Sequence, residues 1–549
     1  MLRISLLIIT VCLLGQRVFT QSNHYLVYFT DKTSTPYSLS NPINFLTQKA
    51  IDRRANQGYP LTGLDLPVDP AYVDSLITNG VDVRNTSDWF NAALIFADTL
   101  QADTIGQLSF VDSVQILSNY GNQLSLRKKQ QQKLETAQKG TIVSSTENLP
   151  QLDMLGAYNM HKAGLKGQGI TIAVIDEGFE NADVMTGFDS LRANNQILGT
   201  YDFIDNETNV YDNGAHGSQV LSVIAGKDGV NNLGTAPKAF FYLFRTEQAS
   251  SEYPVEEIFW LLAAEKADSL GVDIINTSLG YFDFGDEGDL DDIYFDYTYA
   301  DTDGNTSLIS KAARIATRTG MLLVNSAGNS GASVNKYVAM PADVDSVLSV
   351  GAVNANEMYW QLSSVGPTIS GVLKPNISAM GQSTVVLDPS DGLSTANGTS
   401  FASPLIAGFA AALWQAYPTL TNMELKQAIE NAGSLETHST LVGYGIPSYC
   451  RINIDSAIVC PVEISENELF RVTNPMVEEL IIHLSDEVLP AEVTLQLVDL
   501  NGKALFRAND SLTDVTNTIP LPLDKLESGL YFLQLKTPNR TETKRVIIQ

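Results

Sequence analysis

Between about Leu149 and Cys460 the chain alternates near-continuous apolar runs with stretches of helical spacing, and this alternation restricts the fold more than any other feature. The apolar runs are Ile170 to Ile175, Phe240 to Phe244, Val272 to Asn276, Met321 to Asn325 and Val347 to Val350. Helical spacing occupies Val255 to Leu270 and Ser307 to Thr319. A strand without polar alternation has both faces covered, and strands joined through helices run parallel. The pattern therefore predicts an α/β domain over 149–460 with a doubly wound, mostly parallel sheet. Ligands of such sheets bind at the carboxyl ends of the strands.

The flanks obey other periods. Residues 21–126 predict a small α+β module, with strands at Tyr25 to Phe29, Ala92 to Phe96 and Val114 to Leu117 and helical stretches at Ile43 to Asn56, Ala71 to Thr78 and Thr99 to Ser109. Residues 127–148 open on Arg127-Lys128-Lys129-Gln130 and lose apolar periodicity, which predicts a linker exposed to proteolysis. Residues 463–549 predict a small antiparallel β-sandwich: Val493 to Leu500 and Leu530 to Leu535 alternate, and Asn501-Gly502 suits a type I′ turn. Residues 1–20, with Arg3, the apolar run Ile4 to Leu14 and Val18-Phe19-Thr20 before Gln21, predict a secretory signal peptide and hence a secreted or cell-surface protein. No later run approaches the ~20 apolar residues of a spanning helix, so the mature chain is expected to have no transmembrane helix.

Charge excludes one class of partner. The 34 basic and 62 acidic residues leave a net charge of −28 with no basic stripe to track a phosphate backbone, so nucleic acid is not expected to bind. Five histidines and three cysteines, without Cys-x-x-Cys or His-x-x-x-His spacing, exclude a zinc site. Cys450 and Cys460 could pair after export or stay as thiols. Phe282 to Asp303 holds nine acidic residues and no basic ones. Asp301-Thr302-Asp303-Gly304-Asn305 lacks the Gly and Glu placement of a calcium loop, which favours a solvated acidic insertion over a calcium site. The expected cofactor is none.

Three separated segments carry reactive residues at strand or turn boundaries. Ile172-Ala173-Val174-Ile175-Asp176-Glu177-Gly178 puts Asp176 at the end of a buried strand; Ala215-His216-Gly217-Ser218 puts His216 at a helix start; and Asn397-Gly398-Thr399-Ser400-Phe401-Ala402-Ser403-Pro404 puts Ser400 in the first turn of a long apolar helix, with Pro404 expected in that same turn. Taken singly, these suit a turn residue, a helix-start residue and an N-cap. In this order and with these flanks the chain resembles the subtilisin-like serine proteases (subtilases). Gly234-Thr235-Ala236-Pro237, Asn276-Thr277-Ser278-Leu279-Gly280, Ser326-Ala327-Gly328-Asn329, Lys374-Pro375-Asn376-Ile377 and Gly443-Tyr444-Gly445 extend the resemblance.

The resemblance implies a serine endopeptidase acting on protein or peptide substrates. His216 would serve as general base for Ser400, Asp176 would hold the imidazole, and Asn329 would join the Ser400 N–H as oxyanion donor. It implies substrate binding at Ser278, Leu279, Gly280, Ala327 and Gly328, in a pocket near Ala339 to Pro341 with room for a large apolar side chain. Two positions depart from the family pattern: Glu177 stands where Ser or Thr is usual, and Ser218-Gln219 replaces Thr-His. Residues 21–126 resemble an inhibitory propeptide. Val472-Thr473-Asn474-Pro475, Leu500-Asn501-Gly502-Lys503 and Ser528-Gly529-Leu530-Tyr531-Phe532 resemble the type IX sorting domain of Bacteroidota, which engages the secretion machinery. A non-catalytic surface binding module on a protease fold is the competing expectation.

Overall fold

The computed structural model describes residues 22–118, 149–248, 253–282 and 296–454, and beyond these 470–472, 480–484, 491–499, 502–512, 516–519, 526, 529–538 and 540–548. The signal peptide, the basic linker, most of the acidic insertion, Cys460, Asn501 and Ser528 lie outside the described residues. Cys450 is disulfide-bonded.

The N-terminal domain comprises β1 (Ser22–Phe29), α1 (Gln48–Gln57), α2 (Pro70–Thr78), β2 (Asp82–Ser87), β3 (Ala92–Asp98), α3 (Thr99–Ile105) and β4 (Val111–Ile116). Its antiparallel sheet has the order β2-β3-β1-β4. α3 ends earlier than its apolar spacing suggests because the chain turns at Gly106, whose N–H still bonds Ala102.

The central domain is built on β5 (Thr171–Asp176), β6 (Ile197–Asp202), α4 (His216–Ala225), β7 (Phe240–Arg245), α5 (Val255–Leu270), β8 (Ile274–Thr277), α6 (Leu308–Thr317), β9 (Leu322–Ser326), β10 (Leu348–Val353) and β11 (Ile377–Met380). These strands form one seven-stranded sheet, parallel throughout, in the order β11-β10-β9-β8-β5-β7-β6. A hairpin of β12 (Thr384–Leu387) and β13 (Leu393–Ala396) leads into α7 (Thr399–Ala416) and α8 (Asn422–Asn431). Two apolar clusters flank the sheet: α4 and α7 pack with Ile172, Val174, Val324 and Val350 on one face, α5 and α6 with Ala173, Ile175, Ile275 and Leu323 on the other. Two-sided burial is thus the reason the strands read as unbroken apolar runs. Among the described residues no helix is long and apolar enough to cross a membrane.

The N-terminal domain packs on α5. Leu26, Trp89, Ala92 and Leu94 share an apolar cluster with Phe259 and Trp260. Ser87 Oγ and the N–H groups of Asp88 and Trp89 donate to Glu265 at 2.6, 3.1 and 3.0 Å. Arg53 and Arg54 of α1 both reach Asp268, Arg54 also meets Asp65 at 2.6 Å, and Lys49 pairs with Asp273 at 2.8 Å.

Beyond residue 454 the chain is antiparallel. β14 (Phe470–Val472), β15 (Leu480–Leu484) and β18 (Thr516–Ile519) form a three-stranded sheet with β15 central. β16 (Ala491–Val498), β17 (Ala504–Leu512), β19 (Gly529–Lys536) and β20 (Thr541–Ile548) form a four-stranded one ordered β17-β16-β19-β20. Val493, Leu495, Leu497, Leu533 and Leu535 are buried, as alternation requires.

Candidate active site

Asp176 is the last residue of β5, between β8 and β7, and its carbonyl accepts the Thr246 N–H at 3.0 Å. Immediately after it the chain must turn sharply: Gly178 has φ +145°, and a Cβ there would fall 1.6 Å from Asn213 O. His216 opens α4 directly above this turn. Its Nδ1 lies 2.7 Å from Asp176 Oδ1, which also accepts the Glu177 N–H at 2.9 Å. The Asp176 side chain is 2% exposed and that of His216 30%. Burial pushes the Asp176 carboxyl up, and the neighbouring imidazole pulls it back. The His216 ring lies against Phe401, tilted, with centroids 5.6 Å apart.

Ser400 is the second residue of α7, after Gly398 at φ +146°. Its N–H belongs to the first turn, where no intrahelical acceptor exists. Its hydroxyl donates to Ser278 O at 3.2 Å. Pro404, expected in the first turn, is instead the sixth residue of the helix. Lacking an N–H, it cannot bond the carbonyl four residues earlier, which is that of Ser400. Ser278 Oγ fills the gap, donating to Ser400 O at 2.9 Å. The side chain of Ser278 is thus committed to α7.

Asn329 follows β9 and is exposed. Its Oδ1 accepts from Thr399 N at 2.9 Å and Thr399 Oγ1 at 3.0 Å, which fixes the amide so that Nδ2 is its outward donor. A Cβ on Gly398 would lie 3.5 Å from Asn329 Nδ2 and 3.6 Å from Ser400 Cβ, so amide and serine flank the same glycine. Thr399 also receives the Gly328 N–H at 3.1 Å. Its position inside the Gly-Thr-Ser segment was the one sequence signal for this joining role.

The remaining sequence candidates lie close together around Ala339. Gly280, Gly328 and Ala339 converge: a Cβ added to Gly280 would stand 2.8 Å from Ala339 Cβ, and one on Gly328 2.8 Å from Ser364 Oγ and 3.4 Å from Ala339 Cβ. Leu279 O is engaged by Asn325 Nδ2 at 3.2 Å, and Ala327 bonds Val350 O through its N–H and Ala339 N through its carbonyl. Leu279 and Ala327 therefore hold the wall in place. Ser364, unflagged in the sequence, supports it by accepting the Ser330 N–H at 3.0 Å and donating its own N–H to Gly328 O at 2.9 Å. Among the described residues no group of three or more His, Cys, Asp or Glu side chains could hold a metal ion.

A histidine on a buried carboxylate, a serine at a helix N-terminus and a side-chain amide beside it, all at the carboxyl edge of a parallel sheet, are the parts of a serine hydrolase. The family model "Subtilase family" matches residues 167–445, and the chain belongs to that family. Subtilisin DY of Bacillus licheniformis is 29% identical over 56% of this chain and 97% of its own length. Subtilisin NAT of Bacillus subtilis subsp. natto is 30% identical over 56% and 70%. The crystal structure of MycP1 from Mycobacterium smegmatis is 20% identical, covers 57% of this chain and 86% of its own, and has a TM-score of 0.43. A peptidase S8 propeptide domain of Bacteroidota matches residues 24–138, and a secretion system C-terminal sorting domain matches 474–549. The protein is a subtilisin-like serine protease with a propeptide domain and a tail that marks it for export. The propeptide match runs past 126 into the basic stretch read as linker.

Proposed function

We propose that the chain is a secreted or cell-surface endopeptidase that cleaves peptide bonds through an acyl-enzyme on Ser400. His216 takes the hydroxyl proton as Ser400 attacks the scissile carbonyl and returns it to the leaving amine. Asp176 holds Nδ1 and stabilises the imidazolium. The tetrahedral oxyanion receives hydrogen bonds from Asn329 Nδ2 and the Ser400 N–H. The observation that carries this reading is the pairing of a 2.7 Å His216–Asp176 contact with an Asn329 amide oriented by Thr399 beside the serine. For the attack the Ser400 hydroxyl swings from Ser278 O to the imidazole, a rotation about one side-chain bond.

Each step uses side chains and backbone alone, so the reaction requires no metal or other cofactor. The recess between Gly280 and Gly328, floored by Ala339, receives an apolar side chain of the substrate. The signal peptide at 1–20 and the tail direct export through the secretion machinery, and the N-terminal domain inhibits the enzyme until the segment joining it to the central domain is cut. Both flanking matches and the contact of the N-terminal domain with α5 support this order of events.

The test is hydrolysis of labelled casein by purified mature protein beside Ser400→Ala, with a fluorophosphonate probe on both. Labelling and cleavage by wild type alone is the expected result. Folded, processed wild type that neither labels nor cleaves would replace this reading with a binding module. A peptide library returning strict preference for Lys or Arg would overturn the apolar pocket.

A further inference from the structure

The turn that carries Asp176 contains a second carboxylate, and one of its oxygens binds the backbone of the histidine. Glu177 Oε1 accepts the backbone N–H of His216 at 3.2 Å. That N–H is one of the first-turn donors of α4 that have no partner within the helix, and a negative charge there is favourable. The rest of Glu177 is locked as well. Its carbonyl accepts from Arg245 Nε at 3.1 Å, and its stem covers Gly214, where a Cβ would come 2.7 Å from Glu177 O and 2.8 Å from Glu177 Cγ. Gly217 closes the other side, since a Cβ there would lie 2.3 Å from Gly178 O and 3.1 Å from Asp176 Cβ. The backbone of His216 is therefore clamped between two glycines against the 176–178 turn, and Glu177 supplies the polar bond of the clamp.

A consequence shows at Asp176. Its Oδ1 serves both His216 Nδ1 and the Glu177 N–H, while the buried Oδ2 has no hydrogen-bond partner among the described residues. A Ser or Thr after the aspartate would carry a hydroxyl able to reach such an oxygen; Glu177 has none to offer. Other charged residues lie around this turn. Arg245 Nη1 binds Asp202 and Asp205, and Asp212 accepts from Asn209 and Asn213. Glu180 joins Gly214 and Ser218 through its backbone. α7, on the far side of the imidazole, has no charged residue.

We propose that Glu177 is a positioning residue for the reaction, setting the place of His216 through its backbone N–H and adding a second negative charge beside the Asp176–His216 pair. This rests on the peptidase reading above. When His216 takes the Ser400 proton, the imidazolium then faces two carboxylates instead of one, which raises the proton affinity of the ring.

Two variants separate bond from charge. Glu177→Ala removes both, and kcat is expected to fall about 10- to 100-fold with KM within about twofold, the size that a small displacement of a reacting group produces. Glu177→Gln keeps an oxygen acceptor and loses the charge, so kcat is expected to stay within about threefold while the acidic limb of kcat/KM moves down by roughly 0.5–1 pH unit. The limb is also read from fluorophosphonate labelling rates between about pH 5 and 9, a span bracketing the ordinary histidine pKa. A merely structural glutamate would lower stability and leave that limb in place. An Ala variant with kcat within about twofold of wild type, or a Gln variant with an unmoved limb, overturns the proposal. If Glu177→Ala does not mature, the Gln variant decides alone. Wild type is the control: its failure to label would defeat the peptidase reading, whereas normal wild type with indifferent variants defeats only the role of Glu177.

Discussion

Asp268 and Asp176 are equally buried, each 2% exposed, and the molecule treats them in opposite ways. Asp268, where the N-terminal domain meets α5, is met by Arg53 and by both Nε and Nη2 of Arg54. Asp176, at the candidate active site, has one oxygen that serves two donors and another that, among the described residues, serves none. An unsatisfied buried acceptor costs roughly 1–3 kcal/mol, a price that the interface avoids and the site accepts. On the proposed mechanism, the contrast separates charge used to hold two domains together from charge kept to face the imidazolium that forms during the reaction.

Replacing the two aspartates tests that contrast most directly. Asp176→Asn is expected to lower kcat about 10⁴-fold, because an amide cannot hold the required tautomer or stabilise the imidazolium. Its folding stability should change little or rise, since the uncompensated charge goes. Equal losses of activity and stability would erase the distinction. Asp268→Ala takes the carboxylate from buried Arg53, leaves Arg54 with Asp65 alone, and should cost about 3–5 kcal/mol in chemical denaturation of the full-length Ser400→Ala chain. A loss under about 1 kcal/mol would mean the interface is held by its apolar contacts. Asn329→Ala should reduce kcat by about 10²–10³ with KM little changed, a magnitude that belongs to the equivalent donor of subtilisin and is carried over from it.

A further effect concerns pH. Burial, helped by the nearby Asp88 charge, pushes the Glu265 carboxyl from 4.5 up to about 8. A carboxyl whose pKa rises on folding contributes stability that is present below 4.5 and lost as pH climbs through about 8. The denaturation midpoint of the full-length Ser400→Ala chain should therefore decline across that window, and Glu265→Gln should flatten the decline. An unchanged slope would remove Glu265 as its source.

The strands read from the sequence are those whose faces are covered on both sides, or that alternate cleanly. In the main sheets of the N-terminal and central domains the strands missed are edges: Asp82–Ser87, Ile197–Asp202 and Ile377–Met380. Asp82–Ser87 is largely polar, Ile197–Asp202 is interrupted by a register shift at Gly199, and Ile377–Met380 is four residues long. An edge strand has one neighbour and less need of apolar side chains, so its pattern is faint. The site divides in the same manner. Asp176, His216, Ser400 and Asn329 stand out because reactive side chains sit at element boundaries within specific motifs. The duties of Ser278, Thr399, Ser364 and Glu177 do not.

By itself the sequence determined the periodicities, and with them a parallel sheet between two flanking domains, together with the four residues that carry the proposed chemistry. These are local properties: burial writes itself into spacing along one strand or helix, and helix starts and tight turns demand particular neighbours. The tertiary structure decided which groups finish each other's hydrogen bonds across long chain separations. Ser278 completes the carbonyl that Pro404 leaves open, Thr399 orients Asn329, Arg53 and Arg54 close on Asp268, and Glu177 takes hold of the backbone of His216. A hydrogen bond of about 3 Å depends on two backbones arriving at one place, and no spacing within either segment records where the other will be.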